Sequence, residues 1–464
     1  MEAFHHAPIS FHFPYAFPIP TPTPTPTTNF LGTPNSSSIN GMINTWMDSR
    51  IWSRLPHRLI DRIIAFLPPP AFFRARAVCK RFYGLIYSTH FLELYLQVSP
   101  KRNWFIFFKQ KVPRNNIYKN MMNSSSTNSG ICSVEGYLFD PDNLSWYRLS
   151  FALIPQGFSP VSSSGGLICF VSDESGSKNI LLCNPLVGSI IPLPPTLRPR
   201  LFPSIGLTIT NTSIDLAVAG DDLISPYAVK NLTTESFHID GNGFYSIWGT
   251  TSSLPRLCSF ESGKMVHVQG RFYCMNFSPF SVLSYDIGTN NWCKIQAPMR
   301  RFLRSPSLVE GNGKVVLVAA VEKSKLNVPR SLRLWALQDC GTMWLEIERM
   351  PQQLYVQFAE VENGQGFNCV GHGEYVVIMI KNNSDKALLF DFCKKRWIWI
   401  PPCPFLGNNN INLDFGGGSS NNYCGEFGVG VGGGELHGFG YDPRLAAPIG
   451  ALLDQLTLPF QSFN

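Results

Sequence analysis

Charge is scarce in this sequence, and several other common features are missing. Only 15% of the 464 residues are charged, and the net charge is +7. The longest apolar runs, such as Val315–Val321, have the length of a strand and are far too short to cross a bilayer as a helix. Residues 1–20 contain no Lys or Arg, so the basic start of a secretory signal is missing. The sequence therefore predicts an intracellular protein without membrane segments.

Motifs for metal binding and catalysis are also missing. No two of the twelve cysteines have CxxC spacing, which argues against a zinc site and against a disulfide framework. There is no HExxH, GxxxxGK[ST] or GxSxG motif, and no helical pattern follows the glycine-rich run Gly428–Gly432. We expect no metal, no cofactor and no catalytic residue. An enzyme that uses a channel through the β-rich region is the weakest alternative.

Turn formers and aromatic residues, by contrast, are abundant. The chain has 38 Gly and 36 Pro, with 44% hydrophobic and 13% aromatic residues. Low charge with many turn formers favours an all-β architecture. The composition divides the chain into a disordered Pro/Thr/Ser-rich leader (1–45), a helical module (51–96), a connector with a flexible loop (97–130), and a β-rich region (131–454) with a Gly/Asn-rich insertion (407–435).

The helical module begins at Leu55-Pro56. An apolar stripe at helical spacing follows, formed by Leu59, Ile60, Ile63, Ile64 and Leu67. Pro68–Pro70 must end this first helix, because proline lacks an N–H donor and its ring crowds the preceding turn. Shorter helical runs continue to Leu96. A module this small buries little of its own surface, so it needs a partner or a neighbouring domain.

The order of Leu55-Pro56, Leu67-Pro68 and Val78–Phe82 resembles the F-box, the Skp1-binding element of SCF ubiquitin ligases. The resemblance implies a non-catalytic adapter that binds a Skp1-like protein and, through it, a cullin ligase core. The residues expected to contact the Skp1-like protein are Leu55, Pro56, Ile60, Ile63, Leu67, Pro68, Val78 and Phe82. The alternative is an ordinary amphipathic helical hairpin packed on the β-rich region.

The β-rich region has an internal repeat. An acidic or amide residue precedes a large apolar residue by six positions, and the pair recurs about every 50 residues, the period of kelch-type propeller blades. The pairs are Asp140–Trp146, Asn184–Ile190, Asn231–Phe237, Asp286–Trp292, Gln338–Trp344 and Asp391–Trp397. We expect a kelch-type β-propeller of about six four-stranded blades, with seven as the alternative count. The segment Gly440–Pro443 would supply the strand that closes the ring, and the tryptophans would be core anchors. A β-sandwich or a pair of barrels is the competing fold.

Basic residues are the remaining candidates for a binding surface. In an antiparallel meander, the connection between blades and the loop from the second to the third strand lie on one face. This predicts that three basic groups share that face: Arg198 and Arg200; Arg300, Arg301 and Arg304; and Lys323, Lys325 and Arg330. Lys394–Arg396, in a hairpin between third and fourth strands, should lie on the opposite face. The last two groups of the shared face are the candidate contacts for DNA or a protein partner. The alternative is a set of solvated loop charges.

Beyond the F-box, the chain resembles the plant floral F-box proteins of the UNUSUAL FLORAL ORGANS and FIMBRIATA type. The resemblance rests on Ile64–Phe73, Ala219–Tyr227 and Leu452–Phe460. It implies an SCF substrate adapter that works with a LEAFY-type transcription factor on promoter DNA in floral meristem and organ identity. It also implies a nuclear protein, with the cytoplasm as a second compartment. The alternative function is a transcriptional cofactor that acts without ubiquitination and contacts the transcription factor and DNA.

Overall fold

Within its described residues, the computed structural model divides into two compact units, one that ends at Ser99 and one that begins at Pro100. It describes residues 54–109, 134–200, 203–221, 232–240, 248–255, 258, 264–277, 280–322, 330–383, 385–406 and 436–447. The predicted leader, the loop at 120–130 and the insertion at 407–435 lie outside the described residues. The two units are described separately.

The first unit is helical. Its elements are α1 (His57–Ala65), α2 (Pro69–Arg76), α3 (Lys80–Gly84), a 3₁₀ turn (Leu85–Tyr87) and α4 (Thr89–Val98). The proline run separates α1 from α2, and Pro69 also occupies the first turn of α2, where a missing N–H costs nothing. At the start of α4, the Ser88 hydroxyl accepts a hydrogen bond of 3.3 Å from the Phe91 N–H.

The core of this helical unit is small and aromatic. Phe72 stacks on Phe91 with ring centroids 5.8 Å apart, and Phe91 contacts Tyr95 at 6.4 Å. Ile64 and Ala65 of α1 are buried as well. A salt bridge of 2.5 Å between Arg81 and Asp61 ties α3 to α1. Most of the remaining apolar surface of α1 stays exposed.

The second unit contains six four-stranded antiparallel sheets, the blades of a β-propeller. The prediction of six blades is confirmed. Blade 1 contains β1 (Trp104–Lys109), β2 (Val134–Asp140), β3 (Ser145–Phe151) and the last described strand, β26 (Leu436–Tyr441). Blade 2 contains β4 (Phe158–Ser164), β5 (Leu167–Ser172), β7 (Ile180–Asn184) and β8 (Ser189–Leu193); β6 (Gly176–Ser177) pairs with β9 (Pro199–Arg200) beside it. Blade 3 contains β10 (Ser204–Ile209), β11 (Ser213–Asp221), β12 (Leu232–Asp240) and β13 (Gly249–Thr250).

In the other three blades, neighbouring strands are also consecutive in the sequence. Blade 4 contains β14 (Val266–Val268), β15 (Arg271–Phe277), β16 (Phe280–Asp286) and β17 (Asn291–Gln296). Blade 5 contains β18 (Leu303–Gly311), β19 (Lys314–Val321), β20 (Ser331–Leu337) and β21 (Trp344–Arg349), followed by helix α5 (Gln352–Glu362). Blade 6 contains β22 (Phe367–His372), β23 (Tyr375–Ile380), β24 (Ala387–Asp391) and β25 (Arg396–Trp399).

The ring is closed by the C-terminal strand. β26 pairs antiparallel with β1, with Trp104 opposite Tyr441 and Ile106 opposite Phe439. The predicted closing segment at Gly440–Pro443 therefore begins inside this strand. Because the first strand, β1, and the last described strand, β26, share blade 1, closure pairs two sheet edges that would otherwise be free to bind other strands.

The repeating tryptophans join neighbouring blades. The indole N–H of Trp146 donates to the Pro401 carbonyl of the preceding blade at 2.9 Å. Three further indoles also donate to the preceding blade: Trp248 to the Pro194 carbonyl, Trp292 to the Thr251 hydroxyl and Trp344 to the Gln296 carbonyl. Core clusters likewise combine residues of two adjacent blades, as blades 5 and 6 do. These residues are structural anchors, as predicted.

The predicted pair Asn231–Phe237 does not mark the hairpin expected for it. In blade 3, Asn231 precedes the third strand and Phe237 lies within it, so this pair is not the hairpin between the third and fourth strands. That hairpin follows Asp240, and the anchor is Trp248, whose ring lies 5.2 Å from that of Phe237. The third strand of this blade is nine residues long. A spacing of six residues from Asn231 therefore ends inside the strand instead of at the anchor after it.

Candidate functional site

The exposed apolar surface of the helical unit is the first candidate site. Helix α1 divides the predicted stripe in two, because residues three and four positions apart share a face. Ile64 is buried, whereas Leu59 is 48% and Ile63 is 40% exposed. Phe66, just after α1, is 49% exposed. One face of α1 thus builds the core, and the other leaves apolar side chains exposed.

The residues predicted to contact a Skp1-like protein differ in accessibility. Val78, between α2 and α3, is 73% exposed, and Pro56 and Ile63 are exposed as well. The other five are half-buried: Leu55, Ile60, Leu67, Pro68 and Phe82. The exposed Leu59 and Phe66 were not in the predicted set. Helical periodicity placed Leu59 in the stripe but could not decide which side of the stripe faces solvent.

The second candidate site is the propeller face that carries the connections around blade 5. The connection from β17 to β18 contains Arg300 and Arg301, and both are exposed. The Glu322 N–H, at the start of the loop from β19 to β20, donates to the Phe302 carbonyl at 3.3 Å. At the end of that loop, Arg330 donates through Nε to the Glu322 carbonyl at 3.2 Å. The two connections therefore meet on one face, as strand parity predicts. Lys323 and Lys325 lie outside the described residues.

Arg304 has a different role from the one predicted. Its guanidinium forms a bidentate ion pair with Glu362 at the end of α5, with distances of 2.6 and 2.8 Å, and it also pairs with Glu322. The hydrogen bonds that Arg304 donates to Glu362 raise the pKa of Arg304 above its ordinary value. Burial alone would raise the pKa of Glu362, but hydrogen bonds from Arg304 and the Gly366 N–H outweigh it and lower that pKa. The charge of Arg304 is therefore neutralised inside the protein.

Arg200 is likewise buried rather than part of the basic face. Its side chain is 0% exposed and forms an ion pair of 2.6 Å with Glu235, which is also 0% exposed. The same guanidinium donates to the carbonyls of Gly220 and Thr233. A buried pair of this kind is tolerated because its remaining donors are satisfied. Lys394 and Lys395 lie in the hairpin between β24 and β25, where the sequence placed them.

Metal-ligating and thiol side chains are the remaining groups of chemical interest in the described residues. Within them, no group of three or more His, Cys, Asp or Glu side chains is arranged to hold a metal ion. Ten described cysteines are free thiols, and burial raises the pKa of several of them, Cys183 to about 12. A thiol with a raised pKa is a poor nucleophile at neutral pH. In the described part of the chain, no helix is long and apolar enough to cross a membrane.

An exposed apolar helical module together with a closed six-bladed propeller defines an F-box/β-propeller protein. The F-box domain model matches residues 52–94, and the model of the KIB1-4 beta-propeller matches residues 138–359. The F-box match corresponds to the helical unit, and the propeller match lies within the second unit.

Comparison with known proteins narrows this class. The chain is 62% identical to Protein UNUSUAL FLORAL ORGANS of Arabidopsis thaliana, over 89% of this chain and 90% of that protein. It is 41% identical to Protein ABERRANT PANICLE ORGANIZATION 1 of Oryza sativa subsp. indica, over 88% and 92%. It is 24% identical to SKP1-interacting partner 15 of Arabidopsis thaliana, over 77% and 95%. The chain therefore belongs to the F-box protein family of UNUSUAL FLORAL ORGANS and ABERRANT PANICLE ORGANIZATION 1.

Proposed function

We propose that this protein is the substrate-recognition adapter of an SCF-type ubiquitin ligase. In this proposal the F-box docks on a Skp1-like protein and the propeller holds the client. The single observation that carries the proposal is the exposed apolar set on the helical unit, above all Val78, Ile63 and Leu59. The F-box match and the similarity to SKP1-interacting partner 15 support the same docking partner.

Covering the exposed side chains would contribute free energy to an interface with a Skp1-like protein. Fully burying a Val, Leu or Ile side chain contributes about 1.5–3 kcal/mol, so covering these partly exposed residues would contribute about 1–2 kcal/mol each. Apolar groups clustered in this way on a small module are typical of an interaction surface. The adapter needs no chemistry of its own, because tethering raises the effective concentration of the client beside the ligase core.

Replacing the exposed apolar residues tests the docking. The double variant Ile63→Asp/Val78→Asp should bind a Skp1-like protein at least about 100-fold more weakly, because apolar burial is lost and two carboxylates are desolvated. The matched control is Val356→Asp on α5 of the propeller, at a valine that is 48% exposed. Binding is measured by calorimetry, with circular dichroism to confirm folding. A folded double variant with unchanged affinity would refute the proposed docking surface.

We further propose that the protein acts in the nucleus with a LEAFY-type transcription factor, in floral meristem and floral organ identity. The sequence similarity to UNUSUAL FLORAL ORGANS supports the developmental role. Arg300 and Arg301 support a DNA contact, because they are exposed and form no ion pair within the described residues. Lys323 and Lys325 belong to the adjoining connection and would extend the same basic surface. A cofactor that acts without ubiquitination would use this surface alone.

The DNA contact predicts a salt-dependent assay. Each phosphate that is neutralised contributes a slope of about −0.9 to the plot of log affinity against log salt concentration. Replacing Arg300, Arg301, Lys323 and Lys325 by Ala should therefore weaken the complex with transcription factor and promoter DNA and flatten that slope. The Lys394→Ala/Lys395→Ala variant, altered in the opposite hairpin, should behave as the wild type. An unchanged slope in the fourfold variant would exclude phosphate contacts by this face.

The same variants separate the two roles. Ile63→Asp/Val78→Asp should abolish ubiquitination of a client and leave assembly with the transcription factor on DNA intact. The fourfold charge variant should retain binding to the Skp1-like protein. If the F-box variant loses both activities while remaining folded, the two roles share one surface and the separation proposed for them is wrong.

A further inference from the structure

The helical unit carries most of the positive charge of the protein. Residues 54–99 are about a tenth of the chain and contain seven Lys and Arg residues against two Asp and Glu residues, a net charge of +5. The whole chain has a net charge of +7. Of the two acidic residues, Asp61 is held in the salt bridge with Arg81, and Glu93 lies on α4. The charge is therefore concentrated on the unit that also exposes apolar side chains.

Two arginines of α1 form a line along the helix. Arg58 and Arg62 are four residues apart and both are exposed, so their side chains lie one above the other on the same side of α1. Arg54, four residues before Arg58 and just ahead of the helix, is exposed as well. Among the described residues, none of these three arginines has an ion-pair partner. We call Arg54, Arg58 and Arg62 the basic stripe.

The basic stripe runs beside the exposed apolar residues of the same helix. Arg62 follows Leu59 by three positions and precedes Phe66 by four, and side chains at these spacings are neighbours on a helix. Arg58 and Ile63 flank this group on either side. A protein that covers Leu59 and Ile63 would therefore also place its own surface against Arg58 and Arg62.

The charge at this border determines which kind of partner fits. A partner with an uncharged or basic surface there would desolvate or repel the guanidinium groups, whereas carboxylates would form charge-assisted hydrogen bonds with them. A nucleic acid would satisfy the arginines, but interfaces with DNA are polar and strongly charged and would not bury the apolar residues alongside. The combination favours a protein whose apolar groove is bordered by Asp and Glu side chains.

We propose that the basic stripe steers the F-box onto an acidic border around the apolar groove of the Skp1-like protein. This inference rests on the docking proposed above and adds the chemistry of the partner's surface. Charges at the edge of an interface act mainly on the association rate, because they attract the partner before contact. Buried apolar contacts act mainly on the dissociation rate. The stripe and the apolar residues should therefore affect different rate constants.

Stopped-flow association of the full chain with the Skp1-like protein tests the proposal. The NaCl concentration is varied from about 20 to about 500 mM, which shortens the Debye length from about 20 to about 4 Å. The association rate constant of wild type should fall at least about tenfold over this range. Arg58→Gln/Arg62→Gln should associate about threefold to tenfold more slowly than wild type at the lowest salt concentration, and its dissociation rate constant should change by less than about twofold.

Two further variants control for total charge and for its sign. Lys394→Gln/Lys395→Gln removes the same amount of charge from exposed residues of the propeller and should change the association rate constant by less than about twofold. Arg58→Glu/Arg62→Glu should associate more slowly than the glutamine variant at low salt, because attraction becomes repulsion. All variants should approach the same association rate constant at high salt. Circular dichroism confirms that the helices are retained.

Three outcomes would overturn the proposal. The first is a wild-type association rate constant that does not depend on salt. The second is that Arg58→Gln/Arg62→Gln associates as fast as the lysine control. The third is that a DNA duplex of about 20 base pairs competes with the Skp1-like protein for wild type but not for Arg58→Gln/Arg62→Gln, which would assign the stripe to nucleic acid. None of them would refute the apolar docking, which fails only if Ile63→Asp/Val78→Asp keeps its affinity.

Discussion

Removing the Arg304 guanidinium should destabilise the propeller through the buried partner that it leaves behind. The side chain of Glu362 is 2% exposed, and Arg304 satisfies both of its carboxylate oxygens. In Arg304→Met, a carboxylate would remain buried at the end of α5 without its cation. Two backbone N–H donors, those of Gly364 and Gly366, would still contact it.

The expected loss of unfolding free energy in Arg304→Met follows from this geometry. Breaking a buried ion pair by removing one partner costs about 3–5 kcal/mol. Because Arg304 is itself 23% exposed and the backbone donors of Glu362 remain, we expect a loss of about 3 kcal/mol. With an unfolding entropy of about 2.1 cal/mol/K per residue over about 340 residues, this corresponds to a fall in Tm of about 4 °C. The control Arg300→Met, at an exposed residue of the same face, should change stability by less than about 0.5 kcal/mol.

The stability lost in Arg304→Met should also depend on pH, and the pKa of Glu362 determines in which direction. The folded-state pKa of Glu362 is lowered below the ordinary value of about 4.3, so its stabilisation is present above that pH and is lost as pH falls through the folded pKa. The difference between wild type and Arg304→Met should be largest above about pH 5 and should shrink in more acidic solution. Urea denaturation at pH 7 and at pH 4 measures it. The reasoning is refuted if Arg304→Met loses less than about 1 kcal/mol at pH 7, or if Arg300→Met loses as much.

Two further predictions concern the packing of the blades. Gly371→Ala should destabilise the propeller by about 1–3 kcal/mol or more, because an added Cβ would lie 2.0 Å from the Glu310 carbonyl oxygen; Gly249→Ala, whose nearest neighbour would be 3.9 Å away, is the control. Equal thermal stability of the two variants would contradict this. Trp248→Phe should cost about 1–3 kcal/mol, because the Pro194 carbonyl loses its indole donor; an unchanged denaturation midpoint would show that this hydrogen bond contributes nothing.

The repeating fold was largely predictable from local signals. Each blade is a meander of neighbouring strands, so its turns, strands and anchors lie within one short segment and leave a period in the sequence. The count of six blades and closure by the segment at Gly440 were predicted for this reason, and the structure confirms both. The error in blade 3 arose where strand length varied, because a spacing rule assumes a constant strand.

The F-box shows which features local sequence can predict and which depend on tertiary packing. Helical spacing identified the apolar stripe of α1, but Ile64 is buried whereas Ile63 is exposed. Adjacent isoleucines have the same chemistry, and only the packing of α1 in the helical unit determines which of them is covered. Leu59 was omitted from the predicted contacts for the same reason.

What the sequence determined by itself was the class of each region: an F-box by the order of its residues, and a propeller by its period. Strand parity also placed the basic connections on one face, because alternation between faces is a property of the meander. What only the tertiary structure decided was which charges are available. Arg304 and Arg200 are neutralised by Glu362 and Glu235, residues distant in sequence. Ion pairs between distant residues leave no local pattern, since they depend on how the blades bring separate segments together.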